Sequence, residues 1–188
     1  MCWKRSIAAS AIRSRMSRRV NAMSNALLIP LFQHKAWANL EQIKALEAVR
    51  ADAPRREMGV ILGTLDHTVN VDRIFKAHLV GETPDIDYVT ATKRPVLADI
   101  AARMAETDAW YLAYVARVTE AELGQTIEFN FVGDSDRGRM TRAEILSHII
   151  THGASHRGAI GKMLEGLSLP GAPDMVTTFV STSRSEAL

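Results

Sequence analysis

Apolar residues recur at helical period along four long stretches of this chain, which confines the fold to helices packed on helices. The first stretch runs from about Asn25 to Val49 and carries Leu28, Leu31, Phe32, Ala36, Leu40, Ile43 and Leu46 at roughly that period. Pro54 separates it from the second, about Arg56 to Val80, where Val60, Ile61, Leu65, Val69, Ile74, Phe75 and Leu79 are available for burial. Gly81 and Pro84 stop that helix. The third opens at Thr92, takes Pro95 in its first turn, where no intrahelical N–H is needed, and runs to about Val118. Its apolar face is Ile100, Met104, Tyr111, Val115 and Val118. The fourth begins at Thr141, whose spacing to Glu144 makes a capping box, and continues to Leu164 or Glu165 with Gly166 as C-cap. Residues 119–140 are irregular, but "QTIEFNFVGD" alternates apolar and polar residues and reads as a short strand or extended arm. Pro170, Pro173 and an apolar "MVTTFV" close the chain. These features predict an all-α four-helix bundle with a short extended segment before the last long helix.

The 188 residues suffice for one domain with a sizeable core, and no apolar run reaches the ~18–20 residues of a membrane span. Cys2 is the single cysteine, so no internal disulfide forms, which fits a reducing, cytoplasmic setting. Cysteine-rich zinc sites are excluded as well, and any metal must sit on histidine and carboxylate. Residues 1–22 hold Lys4, Arg5, Arg13, Arg15, Arg18 and Arg19 and no acid; taking those six positives from the net +2 leaves −4 for the remainder. A mildly acidic domain is a poor partner for nucleic acid. The basic residues 1–23 read as a disordered or mis-assigned extension, since Met16 and Met23 each offer a start, with one domain over 24–182 and a tail at 183–188.

The chain has six histidines, and "SHIITHGASHRG" places His148, His152 and His156 four residues apart. Such neighbours lie about 40° and 6 Å apart on a helix, so each pair is a bidentate grip. The outer two are about 12 Å apart, too far for one ion to take all three. The grip is therefore His148 with His152, or His152 with His156. A zincin glutamate is absent, because the spacer is Gly153, Ala154 and Ser155, and Glu144 to His148 is not a di-iron E-x-x-H. Of His34, His67 and His78, spacing favours His67, mid-way along the second helix between Leu65 and Val69, as a third ligand; His78 near the helix end reads as solvated. Gly153 and Gly158 would let a helix or ligand approach. Arg157 reads first as an ion-pair partner and second as an anion clamp. For a general base, Asp66, His148 and Glu144 are the residues near in sequence.

"ITHGASHRGAIGKMLEGLSLPGAPDMVTTFV" resembles the closing motif of the DinB/YfiT-like metalloenzymes, "LDHTVNVDRIFKAHLVGETP" their second-helix motif, and "QHKAWANLEQ" their first-helix Trp-Ala-Asn signature. Order and spacing match over about residues 26–180. The resemblance implies a four-helix bundle of up-down-down-up type, a homodimer, and a three-histidine metal site. Matched residue by residue, the ligands fall on His67, His152 and His156, with His148, Arg157 and Asp66 as surrounding pocket residues. Ala159 stands where many relatives have glutamine. The implied cofactor is a divalent transition metal, zinc or nickel foremost. The implied activity is thiol-S-transfer from a low-molecular-weight thiol, such as bacillithiol or mycothiol, to a small-molecule electrophile. The alternatives are a non-catalytic metal- or small-molecule-binding stress-response protein and a metal-dependent hydrolase. The family's name refers to damage-inducible expression, which bears on regulation and not on chemistry.

Overall fold

The computed structural model describes residues 26–49, 53–85, 95–130 and 137–185. The expected extension at 1–23 lies outside them, as does Thr92. Helix α1 covers 26–47. Helix α2, Arg55–Val80, follows Pro54 and ends on Gly81, whose left-handed backbone (φ 78°) lets its N–H and that of Glu82 reach the carbonyls of His78 and Ala77. A side chain at that φ would be strained, so glycine is required there. Helix α3, Leu97–Arg117, starts later than the spacing suggests. Val96 is extended (φ −101°, ψ 129°), so Pro95 precedes the helix and does not sit in its first turn.

Residues 119–130 and 137–141 are more ordered than their pattern suggests. Thr119 and Glu122 form a capping box around a one-turn helix α4, Glu120–Leu123. Strand β1, Thr126–Asn130, pairs antiparallel with β2, Arg137–Thr141, with Phe129 opposite Gly138. A Cβ on Gly138 would stand 2.3 Å from the Phe129 ring, so only glycine leaves that ring its place. Helix α5, Arg142–Gly166, opens with the expected Thr141–Glu144 capping box. Gly166 is its last helical residue and not the cap; the left-handed residue is Ser168 (φ 57°). Helix α6, Val176–Ser185, closes the described chain and leans its Phe179 on Trp37 and His34. The molecule is thus an all-α helical bundle with one small hairpin.

The apolar core is split in two. One cluster joins Phe32 of α1, Phe75 and Leu79 of α2, Tyr111, Tyr114 and Val115 of α3, Phe129 of β1, and Ile145, Leu146 and Ile149 of α5. The other joins Ile43, Leu46, Ile61, Leu65, Val69, Ile100, Met104, Ile160 and Leu164. Early residues of α1 and α5 share a cluster with late residues of α2 and α3, so the two pairs of helices run in opposite directions. Each fully buried aliphatic side chain contributes about 1.5–3 kcal/mol. Leu40 (52% exposed) and Val60 (54%) lie outside both clusters, contrary to their period, because each falls at the rim of its helix's apolar stripe.

Between the clusters every long helix contributes a polar residue. Lys35, 1% exposed, sits 2.7 Å from Asp72 and 2.6 Å from Asp108. Asn39 donates to the other Asp108 oxygen (2.8 Å) and accepts from Arg157 (3.0 Å). Arg157 grips both oxygens of Asp174 at 3.0 Å. The hydroxyl of Tyr111 donates to the Asp72 carbonyl (2.8 Å), and His34 donates to that of Asp174 (3.1 Å). Burial alone would lower the Lys35 pKa; the two carboxylates outweigh it, and the net shift is upward, so the ammonium is kept. Burial pushes Asp72 up to about 6 against the pull of Lys35, so Asp72 is the member that takes a proton as pH falls.

Lys35→Met would leave two buried carboxylates without their cation and should cost about 3–5 kcal/mol in urea unfolding; a loss under about 1 kcal/mol would show that the layer relaxes freely. Gly138→Ala should destabilise by roughly 1–3 kcal/mol through the Phe129 clash. Gly158→Ala, where a Cβ meets nothing within 4 Å, should be neutral or stabilising by up to about 1 kcal/mol. Thermal melts in which the two glycine variants behaved alike would refute that reading of the hairpin.

Candidate metal centre

The capping box sets where α5 begins, and its period then separates two stripes. Ile149, Gly153, Arg157 and Ile160 face the interior, while His148, His152 and His156 flank them half-buried. Antiparallel α2 brings His67 to the same level. His152 Nε2 lies 3.3 Å from His67 Nε2 and 3.0 Å from His156 Nε2, and the three ligand atoms all fall within 4.8 Å of one another. Three nitrogens around an ion at about 2.0–2.1 Å stand about 3.0–3.4 Å apart, so two edges of the cluster already have the required length. The donor set is three imidazoles, which suits first-row metals such as zinc, nickel, copper and iron.

The protonation states fit as well. Burial first, then His156, His148, His67 and Lys35, hold His152 down to about 4. Burial and then His156 lower His67, against the pull of Asp66. Both are neutral at neutral pH, with lone pairs available for coordination.

Of the two grips left open by spacing, the structure gathers His152 with His156 and adds His67. His148 stacks on His152 (5.2 Å between ring centres) and tilts against Phe75 (5.0 Å), beside the cluster and not in it. Asp66 accepts from Arg103 and Asn70. Glu144 is taken up by the capping box with Thr141. Arg157 is the ion-pair partner of Asp174 and an interior residue. His78 is not solvated; it is half-buried and stacked on Phe129 (4.8 Å), because β1 covers the end of α2. Gly153 fits the close-approach reading, with Arg157 Nη1 3.2 Å and Lys35 Cε 3.7 Å from where a Cβ would stand; Gly158 does not.

Sequence reasoning missed Lys35, Asp72, Asp108 and Asp174. A signal existed for the first three. Lys35 falls three residues after Phe32, Asp72 midway between Val69 and Phe75, and Asp108 between Met104 and Tyr111, all on apolar stripes. Asp174 lies in an irregular stretch, where no periodicity marks burial.

Among the described residues no helix is long and apolar enough to cross a membrane. A comparison with curated proteins finds no match. The DinB family profile, by contrast, matches residues 16–185, which include all four long helices, the hairpin and the three clustered histidines. On that match, the chain belongs to the DinB family.

Proposed function

We propose that this protein is a metal-dependent enzyme of the thiol-S-transferase type, with His67, His152 and His156 holding one divalent transition ion, zinc or nickel. The observation that carries the reading is the convergence of three imidazoles from two antiparallel helices, two Nε2 pairs of which are 3.0 and 3.3 Å apart. When bound, such an ion lowers the pKa of a thiol or water it carries and makes it an anion at neutral pH. The surrounding residues supply position and shielding. Asp66, tied to Arg103 of α3, braces the turn of α2 that presents His67. His148 and Phe75 form a half-dry wall next to His152. A low-molecular-weight thiol such as bacillithiol or mycothiol, a small-molecule electrophile, a homodimer and a cytoplasmic setting complete the proposal; these rest on the family resemblance.

A second reading, a metal- or small-molecule-binding stress-response protein without turnover, is favoured by one observation. Both carboxylates considered as a general base, Asp66 and Glu144, are engaged in structural bonds. A metal-dependent hydrolase needs a base as well, and of the three candidates only His148 is left for it.

Metal analysis of untagged protein tests the site. Wild type should carry about one ion per chain and His152→Ala none, while His148→Ala stays loaded. Wild type that takes up no ion on reconstitution would end the reading, and loss in His148→Ala equal to that in His152→Ala would mean the other grip is used. Turnover of a thiol with an electrophile by the loaded wild type would separate enzyme from binder.

Acid gives an independent check. Burial depresses the pKa of His67, His78, His148 and His152 in the folded state below the ordinary value near 6.5. The unfolded chain then binds protons that the folded one refuses, so stability falls as pH drops below about 6.5, continuing toward 4 for His152. Asp72, raised to about 6, acts in the opposite sense between 6 and its ordinary 3.8, but it is one group against four. The melting temperature of chelator-treated protein should therefore decline from pH 7.5 to pH 5; a flat or rising profile would contradict the burial of these rings.

A further inference from the structure

For His152 to offer its Nε2 lone pair to an ion, its proton must reside on Nδ1. That Nδ1 is buried and has no hydrogen-bond partner among the described residues. Metal-bound histidines almost always donate this second N–H to a carboxylate, a carbonyl or a water. Only three other buried side-chain atoms in the described structure share this condition: Gln42 Nε2, His78 Nε2 and Asp72 Oδ1. Gln42 Nε2 is a donor, and His78 packs against Phe129 and Phe75 near the end of α2. Asp72 Oδ1 is the one atom of the set that can only accept when the carboxyl is ionised.

Lys35 joins the two places. It spends one N–H on Asp72 Oδ2 and one on Asp108 Oδ1, and keeps a third. Its stem runs past the turn of α5 that bears His152, with Cε 3.7 Å from where a Cβ on Gly153 would stand. Asp72 belongs to the same helix as His67, and α2 packs against α5 more extensively than against α3 or β1. Lys35 therefore stands between an unspent acceptor on Asp72 and the turn of α5 that carries the unspent donor of His152, with an N–H of its own to spend. A single water placed among them would satisfy all three, accepting from His152 and Lys35 and donating to Asp72, within the two to four polar partners that buried waters take.

Resting on the metal reading above, we infer that Asp72 is a positioning residue for the metal centre: through one buried water it holds the Nδ1 proton of His152 and so aims Nε2 at the ion. The salt-bridged layer and the histidine cluster are then one construction. Lys35 keeps Asp72 ionised and in place, and Gly153 keeps the path between them open.

The test uses the full chain at pH 8 with zinc alone as probe. In metal-free wild type, long-range proton–nitrogen correlation spectra should show His152 with its proton on Nδ1. In Asp72→Leu that preference should disappear, and zinc affinity, from competition with a chromophoric chelator, should fall about 10–100-fold. Asp72→Asn keeps the shape and an acceptor oxygen and should stay within a few-fold of wild type. Asp108→Asn also strips Lys35 of a carboxylate, but both oxygens of Asp108 are already taken by Lys35 and Asn39; it should lower the melting temperature without lowering zinc affinity. A wild-type His152 protonated on Nε2, or an Asp72→Leu protein that binds zinc as well as Asp108→Asn does, overturns the inference. Should Asp72→Leu not fold, the wild-type tautomer decides. Wild type that takes up no zinc ends the metal reading itself, and the same tautomer measurement still decides this one.

Discussion

The ion triad of Lys35 with Asp72 and Asp108 is the constraint around which the bundle is organised. It joins α1, α2 and α3 at one level, and Asn39 and Arg157 extend it to α5 and to Asp174 ahead of α6. Its net contribution to stability is small, because burying three charges costs nearly what their attraction returns. Its contribution to uniqueness is larger. Leucine and isoleucine faces of a bundle can slide by a turn and still bury oil against oil. Here a one-turn slip of α1 would push an ammonium among Tyr111, Val115 and Ile149, or among Val69, Met104 and Ile160. The penalty for that misplacement fixes the register of α1 against the other helices.

Register is what a site split across helices needs. His67 approaches His152 and His156 only if α2 and α5 are aligned to within a fraction of a turn, since one turn is about 5.4 Å and the nitrogen spacings are near 3 Å. Two devices hold that alignment from opposite ends. The Thr141–Glu144 capping box sets where α5 begins, and Arg142 bonds the Leu79 carbonyl near the end of α2 (2.7 Å). Further along, the polar layer crosses α5 at Gly153 and Arg157, each the next residue after a clustered histidine.

The helices were legible because period and caps are local signals. Val69, Phe75, Ile100 and Tyr111 declare their face within a few turns of chain. The histidine row was legible for the same reason, and its alternatives narrowed only when α2 supplied a partner that no local rule could provide. Lys35 shows the opposite case. Its place on an apolar stripe hints at burial, but a lysine there reads as reaching for solvent until Asp72 and Asp108, brought from elsewhere in sequence, make its burial sensible. Pro95 and Gly166 misled by about a turn or less, since proline and glycine mark that a helix starts or stops nearby without marking the residue. The hairpin strand β2, "RGRMT", escaped because three of its five residues are charged or glycine, and its place depends on Phe129 across the ladder.

The division of the core into two apolar compartments has an evolutionary consequence. Side chains separated by a rigid polar partition exchange little packing strain, so changes in one compartment add independently to changes in the other. The end bounded by Phe129 and the hairpin can drift in shape and volume while the Ile61–Leu164 end keeps the bundle closed. A lineage built on this plan can remodel what surrounds its histidines one compartment at a time, without renegotiating the whole interior at each step.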